Sequence, residues 1–207
     1  MELLRIIRKP FRYQFFNATF VLIGINVVVY LLSLLNDNLF NYFALIPMQS
    51  RYASYFWQPL TYMFMHDPYH QSHILFNMIG LFMFGNTLEK RLGSREFLLF
   101  YLLTGVLTGI LLFFFSSGMT IGASGALFAV LLAYACFFPD TQILLMMVIP
   151  VKATIAVLIF IVITTVSLFF SFGGNVSHLG HLGGLVFGFI YLRLRLGIDP
   201  VRVFFHK

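Results

Sequence analysis

Three clusters of polar residues interrupt the long apolar runs of this 207-residue sequence. The first holds His73 and Asn77, whose i, i+4 spacing puts both side chains on one face of a helix. The second is the tetrapeptide 122–125, which contains Ser124. The third contains His181 in a glycine-rich run. Serine, histidine and asparagine are residue types that acyl-transfer chemistry uses.

The residue types in these clusters fit nucleophilic catalysis. A serine hydroxyl such as that of Ser124 becomes a good nucleophile when a hydrogen-bonded base takes its proton, and His181 is the candidate base. The side chains of His73 and Asn77 and the backbone N–H of Ser124 are candidate donors to an oxyanion. No Asp or Glu lies within the apolar runs to orient the histidine, so the sequence indicates a Ser–His dyad rather than a triad.

Glycines accompany both candidate catalytic residues. Gly122 and Gly125 flank Ser124 and would allow a tight backbone turn or a close approach of another helix. Gly184 and Gly188 follow His181 at steps of three and four residues, so they share its helical face. A nearly bare face would let this helix pack closely and bring the imidazole to the hydroxyl.

The composition places these clusters in a membrane protein. Hydrophobic residues make up 60% of the chain and charged residues only 10%, with a mean hydropathy of +0.91. Soluble domains carry about 25% charged residues, so this chain has too few to cover a water-facing surface. The single cysteine, Cys136, excludes an internal disulfide and disfavours a cysteine-based zinc site. We expect no cofactor and no nucleic-acid partner, with the +6 net charge directed to the surface of a lipid bilayer.

Six apolar runs are long enough to cross the bilayer, since a spanning helix needs about 20 residues. A long first loop, 36–71, is rich in aromatics and prolines, as is typical of the bilayer interface. The short run 143–149 is interpreted as an interfacial connection, and 171–174 as a glycine-rich turn. The predicted spans are 19–35, 72–88, 97–115, 122–138, 153–170 and 176–194.

The positive charges support this layout. With a cytoplasmic amino terminus, every Lys and Arg except Arg51 among the 13 falls on the cytoplasmic side, as the positive-inside rule requires. We therefore predict a cell-membrane protein with both termini in the cytoplasm. A basic segment 1–18 precedes a membrane domain 19–194, and a short basic tail 195–207 follows it. The basic first residues lead into an apolar run without a small-residue cleavage site, so no cleavable signal peptide is expected.

Taken together, the motifs resemble those of the rhomboid family of intramembrane serine proteases. The likeness rests on the His-x-x-x-Asn face of the second span, the Gly-x-Ser-Gly opening of the fourth, and the histidine of the sixth with glycines at +3 and +7. The run 89–94 after the second span is also similar, and the family ties down a cytoplasmic helix end there. The resemblance covers about residues 19–194.

The resemblance implies an all-α membrane protein, a six-helix rhomboid-like bundle with an interfacial first loop. Its short fourth helix would open in a water-filled cavity, and its fifth helix would act as a substrate gate. The implied activity is that of a serine endopeptidase that cuts transmembrane segments of single-span proteins. In it Ser124 is the nucleophile, His181 the base, and His73, Asn77 and the Ser124 N–H the oxyanion donors.

Two positions depart from the family pattern. Many members carry tyrosine four residues after the serine, stacked on the catalytic histidine, and this chain has Phe128, which keeps the ring and lacks the hydroxyl. The family often has Trp-Arg in the first loop, where this chain has Trp57 followed by Gln58, a change expected to affect loop stability. His178 is a second candidate base without the matching glycines.

Other interpretations remain open. A catalytically silent rhomboid-like protein would bind membrane clients without cutting them, although such proteins usually lack the serine or the histidine. A small transporter would also place polar groups near the bilayer midplane. A metal-dependent protease is disfavoured, because the sequence has no His-Glu-x-x-His. His66 and His70 are interpreted as surface or cavity-mouth residues. The oligomeric state is not indicated.

Overall fold

The computed structural model describes residues 7–36, 38–50, 55–145, 148–170 and 177–205. Their structure is mostly helical. A 3₁₀ turn covers Tyr62–Phe64, and π-helical turns cover Leu81–Gly85 and Leu192–Leu196. The α-helices are α1 (Ala18–Leu35), α2 (Asn38–Phe43), α3 (Gln58–Thr61), α4 (Gln71–Gly80), α5 (Asn86–Leu92), α6 (Ser94–Phe115), α7 (Ser124–Phe137), α8 (Ala153–Phe170), α9 (His178–Tyr191) and α10 (Pro200–Phe205).

Within the described residues, four helices are long and apolar enough to cross a membrane. They are α1, α6, α8, and α9 with the π-helical turn that extends it. These four correspond to the first, third, fifth and sixth predicted spans, and they agree with a membrane protein. The count of six spans stays a prediction, because the other two runs form shorter helices.

The second predicted span forms α4 and α5 joined by the π-helical turn. The residues at both joins, Gly80, Leu81, Gly85 and Asn86, have right-handed helical dihedral angles, so the helical path runs through the junction. The fourth predicted span forms α7, which has 14 residues. At 1.5 Å per residue it is about 21 Å long, shorter than the ~30 Å hydrocarbon core. The resemblance also implied a short fourth helix.

The expectation of an all-α fold is wrong in one place. A hairpin follows α7, with strand β1 (Gln142–Leu145) antiparallel to β2 (Ile149–Lys152). The sequence was interpreted here as an interfacial connection, and no strand was predicted. The hairpin forms because each strand satisfies the backbone groups of the other, which a lone extended segment at an interface cannot do. The predicted turn 171–174 lies outside the described residues.

The first loop is hydrogen-bonded to the end of α6 and to the segment between α6 and α7. Leu45 and Thr120 exchange two backbone hydrogen bonds of 2.9 Å, and the N–H of Met48 donates to the carbonyl of Phe113 at 2.8 Å. Gln58 is completely buried. Its amide oxygen accepts the N–H of Ile46 at 3.2 Å, in accord with a role of this position in loop stability.

Acidic residues hold the helix ends on the side predicted to be cytoplasmic. Glu89, in the middle of the short helix α5, accepts the N–H of Ala18 at 2.6 Å and the N–H of Thr19 at 2.8 Å. Its carboxylate therefore satisfies free N–H groups at the start of α1, where negative charge is also favoured by the helix dipole. Glu96 of α6 forms a two-point ion pair with Arg195, at 2.9 and 2.8 Å.

Candidate active site

Ser124 is the first residue of α7, and a glycine turn positions it. Gly122 has a φ of +115°, a conformation that L side chains rarely adopt. A Cβ at Gly122 would also lie 2.7 Å from Nε2 of His73. Glycine is therefore required there both for the backbone turn and for the close approach of the histidine. The turn brings the start of α7 beside α4.

His181 lies in the first turn of α9. Ser177 caps this helix, because its side-chain oxygen accepts the N–H of Gly180 at 3.2 Å. Nε2 of His181 lies 3.0 Å from Oγ of Ser124, within hydrogen-bond distance. No Asp or Glu of the described residues hydrogen-bonds to the His181 ring. The geometry matches the nucleophile–base contact expected of a dyad.

The contact between Ser124 and His181 depends on how closely α7 and α9 pack. A Cβ added at Gly184 would lie 1.9 Å from the carbonyl oxygen of Gly125, so no side chain fits there. A Cβ at Gly188 would lie 3.0 Å from the Cα of Ala129. The bare face that the sequence analysis described along α9 is the surface that meets α7. Close backbone approach through small residues is the usual way that membrane helices pack tightly.

Phe128 lies one turn after Ser124 on α7 and stacks on His181. The two ring centroids are 4.2 Å apart, with only 11° between the ring planes. On α8, Phe160 packs edge-on against Phe128 at 5.5 Å. The flat contact limits rotation of the imidazole. The ring stack expected from the resemblance is therefore present without the tyrosine hydroxyl.

His73 and Asn77 lie on one face of α4, which lines the same cavity as Ser124. The amide nitrogen of Asn77 donates to the backbone carbonyl of His73 at 2.7 Å. This bond uses one of its two N–H groups, and the other is not hydrogen-bonded within the described residues. The side chains of both residues thus stand beside the start of α7, as candidate oxyanion donors must.

A cavity of about 690 Å³ brings the polar clusters together. Both candidate catalytic residues and both candidate side-chain oxyanion donors line it. The lining residues are Asp67, His70, Ser72, His73, Phe76, Asn77, Met119, Thr120, Ile121, Ser124, Leu127, Phe128, Ser177 and His181. His178 is not among them, and its ring meets His181 edge-on at 6.2 Å. Within the described part of the chain, no three His, Cys, Asp or Glu side chains are grouped to hold a metal ion.

Asp67 is a cavity-lining residue that sequence analysis missed. Its carboxylate contacts Nδ1 of His70 at 2.8 Å, and His70 is largely exposed, as expected for the cavity mouth. Partial burial acts to raise the pKa of Asp67, but hydrogen bonds from His70 and from the N–H of Tyr69 outweigh it and hold that pKa below its usual value. The carboxylate is thus charged at neutral pH. The i, i+3 spacing of Asp67 and His70 is the sequence signal that could have indicated this contact.

The interpretation of His66 as a surface or cavity-mouth residue is wrong. His66 is completely buried, and its ring lies edge-on to His73 with the centroids 5.1 Å apart. The polar appearance of its neighbours in sequence suggested exposure. The chain instead turns inward at Met65, which is also completely buried, before it reaches the exposed residues Tyr69 and His70.

Comparison with known proteins places the chain in a family. The Rhomboid domain profile matches residues 53–197, which is more than half of the chain. The fold and the site are those of a helical membrane protein with a serine and a histidine in contact at a cavity. The chain belongs to the rhomboid family, and the resemblance noted in the sequence is confirmed.

Two of the relatives that the chain matches are named as proteases. The chain is 30% identical to the rhomboid protease GluP of Bacillus subtilis over 194 residues, which cover 90% of the chain and 36% of GluP. It is 29% identical to the rhomboid protease GlpG of Haemophilus influenzae over 190 residues, or 90% of the chain and 97% of GlpG. A mitochondrial rhomboid-like protein 14 of Arabidopsis thaliana is 32% identical over 162 residues, covering 69% of the chain and 46% of that relative. The two relatives named as proteases, GluP and GlpG, support an intramembrane protease.

Proposed function

We propose that the protein is an intramembrane serine endopeptidase that cleaves transmembrane segments of single-span membrane proteins. The observation that carries the proposal is the 3.0 Å contact between Ser124 Oγ and His181 Nε2 at a cavity within a membrane protein. Membership of a family with relatives named as proteases supports the same reaction class. Because the chain spans only 36% of GluP, the activity and substrates of the whole GluP protein are not carried over.

The reaction would proceed through an acyl-enzyme. His181 takes the hydroxyl proton as Ser124 Oγ bonds to the carbonyl carbon of the substrate peptide, and the carbonyl electrons move to oxygen. His73, Asn77 and the N–H of Ser124 donate to this oxyanion. When it collapses, the C–N bond breaks and His181 returns the proton to the leaving amine. Water, deprotonated by His181, then hydrolyses the ester and frees Ser124.

The cavity explains how water could reach a hydrolytic site that lies within the membrane. Ser72, Thr120 and Ser177 contribute hydroxyl groups to its lining, and Asp67 contributes a charge. A polar lining of this kind would admit water to the start of α7. A substrate helix would have to unwind locally to present an extended peptide bond to Ser124. Substrates with a readily unwound helix are therefore favoured, and the family resemblance implies small residues at the cut.

We further propose that the chain crosses the membrane six times with both termini in the cytoplasm. The membrane domain would be 19–194, flanked by the basic segments 1–18 and 195–207. The support is the distribution of Lys and Arg, of which all but Arg51 fall on one side in this layout. The path through α4, the π-helical turn and α5 supplies a second crossing, and the short α7 supplies a fourth.

The decisive experiment is cleavage of a model single-span substrate by the chain reconstituted in lipid vesicles. Ser124→Ala and His181→Ala are each expected to lower kcat by at least about 10³-fold with the fold retained. Ser116→Ala is the matched control, since Ser116 does not line the cavity, and it should keep wild-type activity. Activity that survives in Ser124→Ala would contradict the assignment. A folded wild-type chain that cuts none of several helix-destabilised substrates would favour the client-binding alternative.

A further inference from the structure

His66 is a polar ring at a completely buried position. Its exposed fraction is 0%, and neither ring nitrogen makes a hydrogen bond of normal geometry among the described residues, although the backbone of Phe64 lies near enough to act weakly on the ring. A buried polar group without a partner destabilises the folded state. Burial, with a smaller contribution from neighbouring His73, also lowers the pKa of His66 to about 3, so its ring is neutral at physiological pH. His66 does not line the cavity and cannot touch a substrate there.

The contact that His66 makes is with His73. The ring centroids are 5.1 Å apart and the planes are inclined by 60°, which is an edge-to-face arrangement. Aromatic rings favour this geometry because the positive edge of one ring meets the negative face of the other. Nε2 of His73 is itself only 2.7 Å from the position that a Cβ would take on Gly122. The His73 ring therefore contacts both the His66 ring and the turn that precedes Ser124.

We propose that His66 is a positioning residue that holds the His73 ring against the Gly122 turn, so that its Nε2 stays directed toward the oxyanion site. This inference rests on the proposed protease function and adds a residue to it. It assigns the effect to the flat ring of His66 and not to its nitrogens. Phenylalanine can therefore take its place, whereas an aliphatic side chain of similar volume cannot.

A misplaced His73 should have a specific kinetic effect, because the oxyanion is absent from the bound substrate. His73 would donate to a charge that develops only in the transition state, so a misplaced His73 lowers kcat and leaves KM unchanged. A residue that merely supports the fold would instead lower the amount of active protein, or would act equally whether or not His73 is present. Whether the effect of a His66 substitution depends on the presence of His73 therefore distinguishes a positioning role from a purely structural one.

The test is a double-variant cycle in the reconstituted protease. His66→Phe keeps the ring and His66→Leu removes it, while both fill the buried space. His66→Leu should lower kcat about two- to tenfold, the rate equivalent of one edge-to-face contact, with KM unchanged. His66→Phe should stay within about twofold of wild type and unfold at the same or a higher temperature. In a His73→Ala background, itself slower by about 10²-fold, His66→Leu should have less than about a twofold further effect.

The possible outcomes distinguish a failure of the positioning role of His66 from a failure of the proposed protease function. If the losses from His66→Leu and His73→Ala multiply, or if His66→Phe loses as much as His66→Leu, the positioning role is overturned while the protease stands. If the wild-type chain has no protease activity, the positioning role and the proposed protease function are both contradicted. Coupling to His73 combined with rescue by phenylalanine supports the inference.

Discussion

The side chains around Ser124 differ in how directly they control its chemistry. His181 contacts the hydroxyl directly, whereas Phe128 acts on it through His181, by a stack at 4.2 Å. The sequence placed Phe128 at this position through family resemblance, and the structure adds that a second ring, Phe160 of α8, packs against it. The orientation of the imidazole thus depends on two neighbouring helices.

The Phe128 ring can be tested apart from the hydroxyl that many relatives carry. Phe128→Tyr keeps the stack and should leave kcat within about twofold of wild type. Phe128→Ala removes a contact worth about 0.5–1.5 kcal/mol, so kcat should fall by about two- to tenfold, measured with the same vesicle substrate. An unchanged rate in Phe128→Ala would show that the stack does not orient His181.

At the scale of elements, the packing of α7 against α9 sets the geometry of the candidate dyad. Residues 57 positions apart in sequence meet because glycines at the interface remove every intervening side chain. The backbones approach so closely that a single added methyl group cannot be accommodated at Gly184. A shift of one helix would therefore change the Ser124–His181 distance directly.

Gly184→Ala should inactivate the protein through this packing. The new Cβ would lie 1.9 Å from the Gly125 carbonyl oxygen, so α9 must move away, and a displacement of about 1 Å can cost about 10²-fold in rate. Gly24→Ala is the matched control, since a Cβ there meets nothing within 4 Å. It should leave activity unchanged, with equal or slightly higher stability. Equal activity of the two variants would contradict the close-packing explanation.

The ion pair between α6 and the π-helical turn that follows α9 should contribute to stability. The side chains of Glu96 and Arg195 are only 7% and 15% exposed, so removing one partner leaves a buried charge. Arg195→Met is expected to lower the free energy of unfolding by about 2–4 kcal/mol, measured by denaturation in mixed micelles. Arg202→Met is the control, because Arg202 is 82% exposed and its loss should cost less than about 1 kcal/mol. Similar losses in both would rule out a special role for the buried pair.

For the whole molecule, orientation in the bilayer is the property that the positive charges predict. Lys90 follows the second predicted span and Arg202 follows the sixth, so both would face the cytoplasm. Met48 lies in the first loop and would face outward. Nothing in a helix bundle by itself distinguishes the two sides of a membrane, and the asymmetry of Lys and Arg supplies that distinction.

Single cysteines test this orientation in a Cys136→Ser background. Met48→Cys should react with a membrane-impermeant maleimide in intact cells, because that position is 56% exposed and predicted to be outside. Lys90→Cys and Arg202→Cys should react only after the membrane is permeabilised. Labelling of Lys90→Cys in intact cells would invert the proposed topology. Labelling of Arg202→Cys alone would show an odd number of crossings after Lys90.

The sequence by itself determined the membrane class, the apolar runs and the residues that form each polar cluster. These properties are local: hydropathy is read within a run of about 20 residues, and the faces of His73 with Asn77 and of His181 with Gly184 follow from helical periodicity. The bounds of α1, α6 and α8 lie within three residues of the predicted spans. The family resemblance could also be read from motif order alone.

Only the tertiary structure decided how these elements meet. The β1–β2 hairpin was missed because two four-residue strands carry little periodicity of their own and depend on each other for hydrogen bonds. His66 and the Glu96–Arg195 pair were missed for a different reason. Burial and pairing over 99 residues depend on which helix faces pack together, and hydropathy does not encode that choice. The 3.0 Å Ser124–His181 contact likewise exists only once α9 lies against α7.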